Sequence, residues 1–432
     1  MESLWERTAA CPGFERLEQD VRTGVLIIGG GMAGVLCALL LRQAGVPYVL
    51  LEAETVGSGI TKNTTAKITS QHGLIYDRLI REFGIERARQ YLNANEAALE
   101  KFRVLCRGID CGFEEKTAYV YSLDDRRKIE RELAALEMLG FHGSFTSQLP
   151  LPFPVAGAVQ YPGQAQFHPL KFMAAVSRDL RIYEHTPVRK LVGTTALTDH
   201  GRVTAEKIIV ATHFPFWNRH GSYFIKLYQH RSYVIALENA PYVDGMYVDE
   251  AQTGMSFRNY GDLLLIGGGD HRTGKKGGNW QELRDFARRY YPNAVEKYHW
   301  ATQDCMSLDG VPYIGPYSAG TPGLYVATGF NKWGMTSSMV SAMILCDLIQ
   351  GKRNPWAEVF SPSRSILRPQ LAVNGFEAVA SLLTPSVRRC PHLGCALKWN
   401  PQEHTWDCPC HGSRFTQSGR LIDNPATGDL KK

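Results

Sequence analysis

Four residues near the C-terminus have the types and spacing to hold iron. Cys390-Pro391-His392 gives C-x-H and, fifteen residues on, Cys408-Pro409-Cys410-His411 gives C-x-x-H. Two thiolates and two imidazoles, one of each per loop, suit a [2Fe–2S] centre with cysteine on one iron and histidine on the other. Such a centre moves electrons one at a time. The same four side chains would close a Cys2His2 zinc tetrahedron, although C-x-H is tighter than the C-x2–4-C and H-x3–5-H spacings of zinc sites. Two further cysteines, Cys395 and Cys410, sit one in each loop.

A second chemistry-bearing pattern lies near the N-terminus. Val25-Leu26-Ile27-Ile28 reads as a buried parallel strand, and Gly29-Gly30-Gly31-Met32-Ala33-Gly34 follows at once as G-x-G-x-x-G. Val35 to Gln43 reads as a helix closed by Gly45, and Tyr48-Val49-Leu50-Leu51 as a second strand ending in Glu52. Strand, glycine turn, helix, strand and acid make a dinucleotide-binding unit. Gly29 permits the tight turn, Gly31 lets backbone approach a pyrophosphate, and Gly34 lets the helix pack closely on the strand. The helix N-terminus attracts the phosphates, and Glu52 accepts hydrogen bonds from a ribose diol. The motif alone does not separate FAD from NAD.

The two C-terminal loops resemble those of Rieske electron-transfer proteins, in which a cysteine pair placed like Cys395 and Cys410 cross-links the loops. The segment Gly57 to His72 resembles the stretch after the second strand in the D-amino-acid-oxidase-like flavoproteins. That family includes glycine, sarcosine and γ-glutamylputrescine oxidases, and Thr61, Lys62 and Ala66 hold its flavin-contacting places. Glu184-His185-Thr186-Pro187-Val188 resembles the segment whose valine backbone meets adenine. Leu308 to Gly315 and Leu324 to Thr336 resemble the C-terminal flavin signature. They supply Gly310, Gly329, Gly334, Met335 and Thr336 as cofactor contacts and set Lys332 and Trp333 near the ring. The chain as a whole is similar to bacterial members that carry a Rieske module behind the flavin domain.

The resemblance implies FAD and a [2Fe–2S] cluster, with Cys390, His392, Cys408 and His411 as its ligands. It also implies an α/β architecture. A Rossmann-like FAD domain (about 20–75, 155–212 and 300–350) interleaves with an antiparallel-sheet substrate domain (about 76–154 and 213–299). A proline-punctuated linker at 351–385 with one short helix precedes a small all-β module at 386–432. That module is short: only Ser386-Val387-Arg388-Arg389 separates Pro385 from Cys390, so most of the β base of a Rieske domain is expected to be missing. So small a unit needs its cluster, its cross-link and its neighbour to hold it.

Composition fits these elements. The 432 residues are 44% hydrophobic and 21% charged, enough for two or three domains. Net charge is +6 on 48 basic and 42 acidic residues, without a block suited to nucleic acid. The N-terminus lacks a signal-peptide pattern, and the apolar stretch from Val25 to Leu41 is broken by glycines, so no membrane span is expected. Ten cysteines, mostly scattered, suit a cytoplasmic protein.

By resemblance, the substrate is a small amine or amino acid whose C–N bond gives hydride to flavin, with electrons passing through the cluster to an unidentified acceptor. Arg258 offers a planar fork for a carboxylate, and His72 and Tyr228 are candidates for the pocket. Cys305 lies where some sarcosine oxidases tether flavin, but its spacing fits poorly and a buried free thiol is expected. Two alternatives stay open: an oxygen-using amine oxidase with a structural metal clip, or a non-catalytic flavin and iron–sulfur redox sensor or carrier.

Overall fold

The computed structural model describes residues 2–217 and 220–431. The aliphatic run Val21–Ile28 lies at the centre of a parallel sheet, between Tyr48–Leu51 and Arg202–Val210. Leu324–Thr328 continues the sheet in parallel, Tyr313–Pro316 closes that edge antiparallel, and Ile182–Tyr183 closes the other. The inner strands are buried on both faces, as their unbroken Val/Ile/Leu runs require. Helices Met32–Gln43 and Gly334–Ile349 pack side by side against this sheet.

A second, nine-stranded sheet stands over the first. Its strands run Val295–Ser307, Leu227–Glu238, Leu263–Arg272, Ser256–Tyr260, Met246–Asp249, Glu114–Ser122, Gly157–Gln166 and Lys67–Ile68, with Ser144–Thr146 at the side. Gly157–Gln166 and Val295–Ser307 therefore pair with this sheet, although the sequence reading set 157–166 and 300–307 with the nucleotide segments. Alternation shows that a strand exists but not which sheet it joins. Helices Ile85–Cys106 and Arg126–Leu139 cover the flank.

The C-terminal module is a four-stranded antiparallel sheet of Lys398–Asn400, Thr405–Asp407, Arg414–Thr416 and Leu421–Asp423. Its apolar core is small: the four loop cysteines, Leu397, Phe415 and Ala426. The connector differs from expectation in holding two helices, Ala357–Phe360 and a longer one, Pro369–Leu383. Pro369 at the first turn starts the second rather than breaking it. No helix among the described residues is long and apolar enough to cross a membrane.

Candidate functional site

A cavity of about 980 Å³ runs between the two large sheets. One end is the glycine turn. Gly29 has φ +112°, and a Cβ there would lie 2.6 Å from the Ala211 carbonyl oxygen. A Cβ on Gly34 would fall 1.9 Å from the Gly29 oxygen, so the helix approaches the strand only as glycine. Gly31 caps the helix and lines the cavity, with Thr61 Oγ1 accepting from Met32 N at 3.0 Å. Glu52 Oε1 accepts from Glu54 N at 2.9 Å, and its other oxygen from Gly30 N at 2.5 Å. Burial raises its pKa despite these amides. Val188 lines the same end. A glycine cradle, helix amides and an acid at a strand end fit the pyrophosphate and ribose of FAD.

At the other end Gly310, Lys332, Trp333, Gly334 and Met335 line the cavity. Gly310 has φ +72°, and a Cβ there would strike Arg78 Nη2 at 2.4 Å. Tyr228 also lines this region, under the Arg272 guanidinium.

Several sequence candidates stand elsewhere. Arg258 does not line the cavity. It is fully buried between Trp5 and Tyr260, and its Nη1 donates to the Ala66 carbonyl at 2.9 Å. It is therefore a pillar behind the wall rather than a carboxylate fork, and burial depresses it to about 9. Lys62 points away to Glu6, 2.7 Å distant. Ala66, Gly34, Gly329 and Thr336 lie behind the lining; Thr336 Oγ1 donates to Thr69 O at 3.1 Å. His72 reaches the lining, but Nδ1 meets Tyr91 Oη at 2.6 Å and Nε2 meets Thr69 O at 2.8 Å. Burial pushes it down to about 3, so it is a neutral ring stacked on Trp333 rather than a base.

The wall facing Lys332 holds groups that the sequence reading missed. Ser232 bridges Asp270 and Asp304, and Lys332 pairs with Asp270 at 2.9 Å. Burial is the main force raising Asp304, to about 6. Thr302 Oγ1, buried on the same strand face, has no hydrogen-bond partner. Lys67 comes in from below and donates to Thr65 Oγ1 at 3.1 Å, with burial lowering it to about 7. The i, i+2 spacing of Thr302, Asp304 and Met306, all cavity-lining, was the available signal. Cys305 also lines the cavity as a free thiol pushed up to about 12 by burial.

The four cluster residues come together beside this cavity. Both loops close in the same way: Gly394 N donates to Cys390 O and Gly412 N to Cys408 O, each at 2.9 Å. Both glycines take positive φ, +80° and +86°. The Cys390 and Cys408 thiols lie within mutual hydrogen-bond reach, and the His392 and His411 rings are 4.8 Å apart. Cys395 and Cys410 form a disulfide across the loops. His411 Nδ1 is buried without a protein partner. Two thiols, two imidazoles held neutral by burial and an orphaned ring nitrogen fit a [2Fe–2S] group.

The module is fixed to the flavin domain through backbone groups of these loops. Gln229 Nε2 donates to His411 O at 2.7 Å, and Gln303 Nε2 to Gly412 O at 2.8 Å. Arg272 donates to Pro409 O and Cys410 O, and Asn424 Nδ2 to the carbonyls of Thr212 and Phe214. Glu403 enters a buried ion network with Arg231 and Arg414.

Residues 24–348 match the family model described as FAD dependent oxidoreductase, and 384–432 match the Rieske [2Fe-2S] domain. The chain belongs to the FAD-dependent oxidoreductase family and carries a C-terminal Rieske domain. Its cofactors are FAD and a [2Fe–2S] cluster. Across its full length it is 35% identical to the putative Rieske 2Fe-2S iron-sulfur protein YhfW of Bacillus subtilis, covering 97% of that protein. That alignment spans 494 positions against 432 residues, so the relative carries segments this chain lacks. Glycine oxidase from Geobacillus kaustophilus shares the fold at TM-score 0.66 and 21% identity, covering 80% of this chain and 100% of that one. The cluster region is 47% identical over 45 residues to cytochrome b6-f complex iron-sulfur subunit 3 of Nostoc sp., 10% of this chain and 25% of that protein.

Proposed function

We propose that the protein oxidises the C–N bond of a small amine or amino acid and passes the electrons singly through its Rieske cluster to a further acceptor. When bound, FAD accepts a hydride and the cluster accepts one electron at a time. Gly29, Gly31, Glu52, Thr61, Val188, Gly310, Gly334 and Met335 hold the FAD, with Gly34 closing the helix onto its strand. Asp270 and Asp304, fixed by Ser232, bind the substrate ammonium, and Asp304 takes the proton that the nitrogen loses before hydride leaves the adjacent carbon; Lys332 and Tyr228 bound the same space. Cys390 and Cys408 hold one iron, His392 and His411 the other.

The observation that carries this reading is the junction at Gln229. Its side chain grips the backbone of His411, while its strand partner Cys305 lines the FAD cavity. Cluster loop and cavity thus share one strand pair. The test is anaerobic: a panel of amines and amino acids is mixed with holoenzyme, and flavin bleaching is followed by a Rieske-type EPR signal. The double change Cys390→Ser and Cys408→Ser leaves bleaching intact and removes that signal. Rapid oxygen consumption unchanged by the double change would favour a plain oxidase with a structural clip.

A further inference from the structure

Helix Pro369–Leu383 is turned inside out. In a globular protein the apolar stripe of such a helix faces the core. Here the side chains buried against the body are polar, Asn374 and Ser381. Asn374 Oδ1 accepts from Arg272 Nη1 at 3.0 Å, and its Nδ2 donates to Ile225 O at 3.3 Å. Ser381 Oγ donates to Ala396 O at 3.3 Å. The helix is therefore pinned to the flavin domain through Asn374 and to the cluster module through Ser381, with Ala378 packed on the module core. Its larger apolar residues other than the partly buried Leu371 face outward. Val373, Phe376, Val379 and Leu383 form one stripe, with Phe376 73% and Leu383 78% exposed. Leu367, Leu382, Val387 and Leu393 extend it on both sides.

We propose that this face seats the protein on an anionic phospholipid surface, lying in the interface without crossing it. The helix is about 22 Å long, too short to span and long enough to lie flat. The charge around it selects the occupant. The helix's one acid, Glu377, is neutralised by Lys275 at 2.7 Å. Arg388 and Arg389, just past its end, are exposed, and their side chains donate only to backbone carbonyls, with no carboxylate partner among the described residues. Arg388 also lies over Trp406, which packs on the exposed Trp399. An aliphatic and phenyl crest rimmed by arginine and tryptophan is the composition of a lipid-interface element. A second copy meeting the same face would set arginines against arginines.

The experiment co-sediments the full-length holoprotein with vesicles of phosphatidylcholine containing phosphatidylglycerol, against pure phosphatidylcholine. The expected result is binding to the anionic vesicles that weakens as salt rises. Phe376→Glu and Leu383→Glu each lower the partition coefficient about tenfold or more. Arg388→Gln and Arg389→Gln each lower it about fivefold on anionic vesicles. Flavin absorption and the cluster EPR signal, unchanged in all four, show that the fold is kept. Absence of vesicle binding, or binding indifferent to Phe376→Glu with Leu383→Glu, overturns the proposal. A dimer in sedimentation velocity that these changes dissolve, without vesicle binding, assigns the face to a second copy and overturns it equally.

Discussion

Replacing Glu403 with glutamine will loosen the cluster module from the flavin domain. Glu403 is nearly buried, between Arg231 and Arg414, and accepts from both. Burial alone would raise its pKa, but the two guanidiniums overcome this and hold it at about 2. Set against an ordinary value near 4.5, that difference corresponds to about 3 kcal/mol of folded-state stabilisation. Removing the charge leaves buried Arg231 without a carboxylate, while Arg414 keeps Asp407 and Asp423; breaking one partner of a buried pair costs about 3–5 kcal/mol in comparable sites. The sign with pH follows. A depressed acid stabilises fully above about 4.5 and loses that contribution as pH falls toward 2. Glu403→Gln therefore flattens the acid limb of the stability profile and lowers the plateau at neutral pH. Urea unfolding followed by tryptophan fluorescence measures this, since Trp399 and Trp406 report from the module itself. Changing Arg231 to methionine in the same protein should restore part of the loss by removing one orphaned cation. A Glu403→Gln protein within about 0.5 kcal/mol of its parent would refute the idea that this network locks the module.

Three further outcomes follow from the geometry. Gly34→Ala should yield protein without FAD, because its Cβ would fall inside the Gly29 carbonyl; absorption of the purified chain near the flavin bands reads this directly. Amine binding, monitored as a perturbation of the flavin spectrum, should weaken as pH drops through about 6, where Asp304 takes up its proton, and Asp304→Asn should erase that step. The pair Cys395→Ser and Cys410→Ser, which removes a bridge across 15 residues, should cost about 3 kcal/mol and make cluster iron accessible to chelators at lower urea.

The sequence was most legible where one residue type alone satisfies the geometry. Gly29 and Gly34 declare their turn because no side chain fits, and the cluster loops declare themselves through ligand chemistry. The end of the first long helix at Gln43 was readable from the Gly45 that closes it. The wall facing Lys332 was not, because Ser232, Asp270 and Asp304 come from three strands separated in the chain and meet only through sheet pairing. Arg258 shows the converse. Its type suggested a ligand fork, yet Trp5, distant in sequence, covers it. The Lys62 side chain is turned aside in a similar way, toward Glu6 on a short N-terminal helix. The connector was read as proline-punctuated with one short helix, whereas Pro369 sits in the first turn of a 15-residue helix and starts it.

The two glutamines that clasp the loop backbones carry a kinetic consequence. Gln229 and Gln303 bond to each other at 2.7 Å as well as to the module. A module so clasped does not swing between donor and acceptor. On the proposed route, electrons would cross a fixed gap to the cluster, in a first-order step indifferent to solvent viscosity and to protein dilution. Viscosity dependence in turnover would then report substrate and product exchange at the cavity or the arrival of the proposed acceptor, not motion of the module.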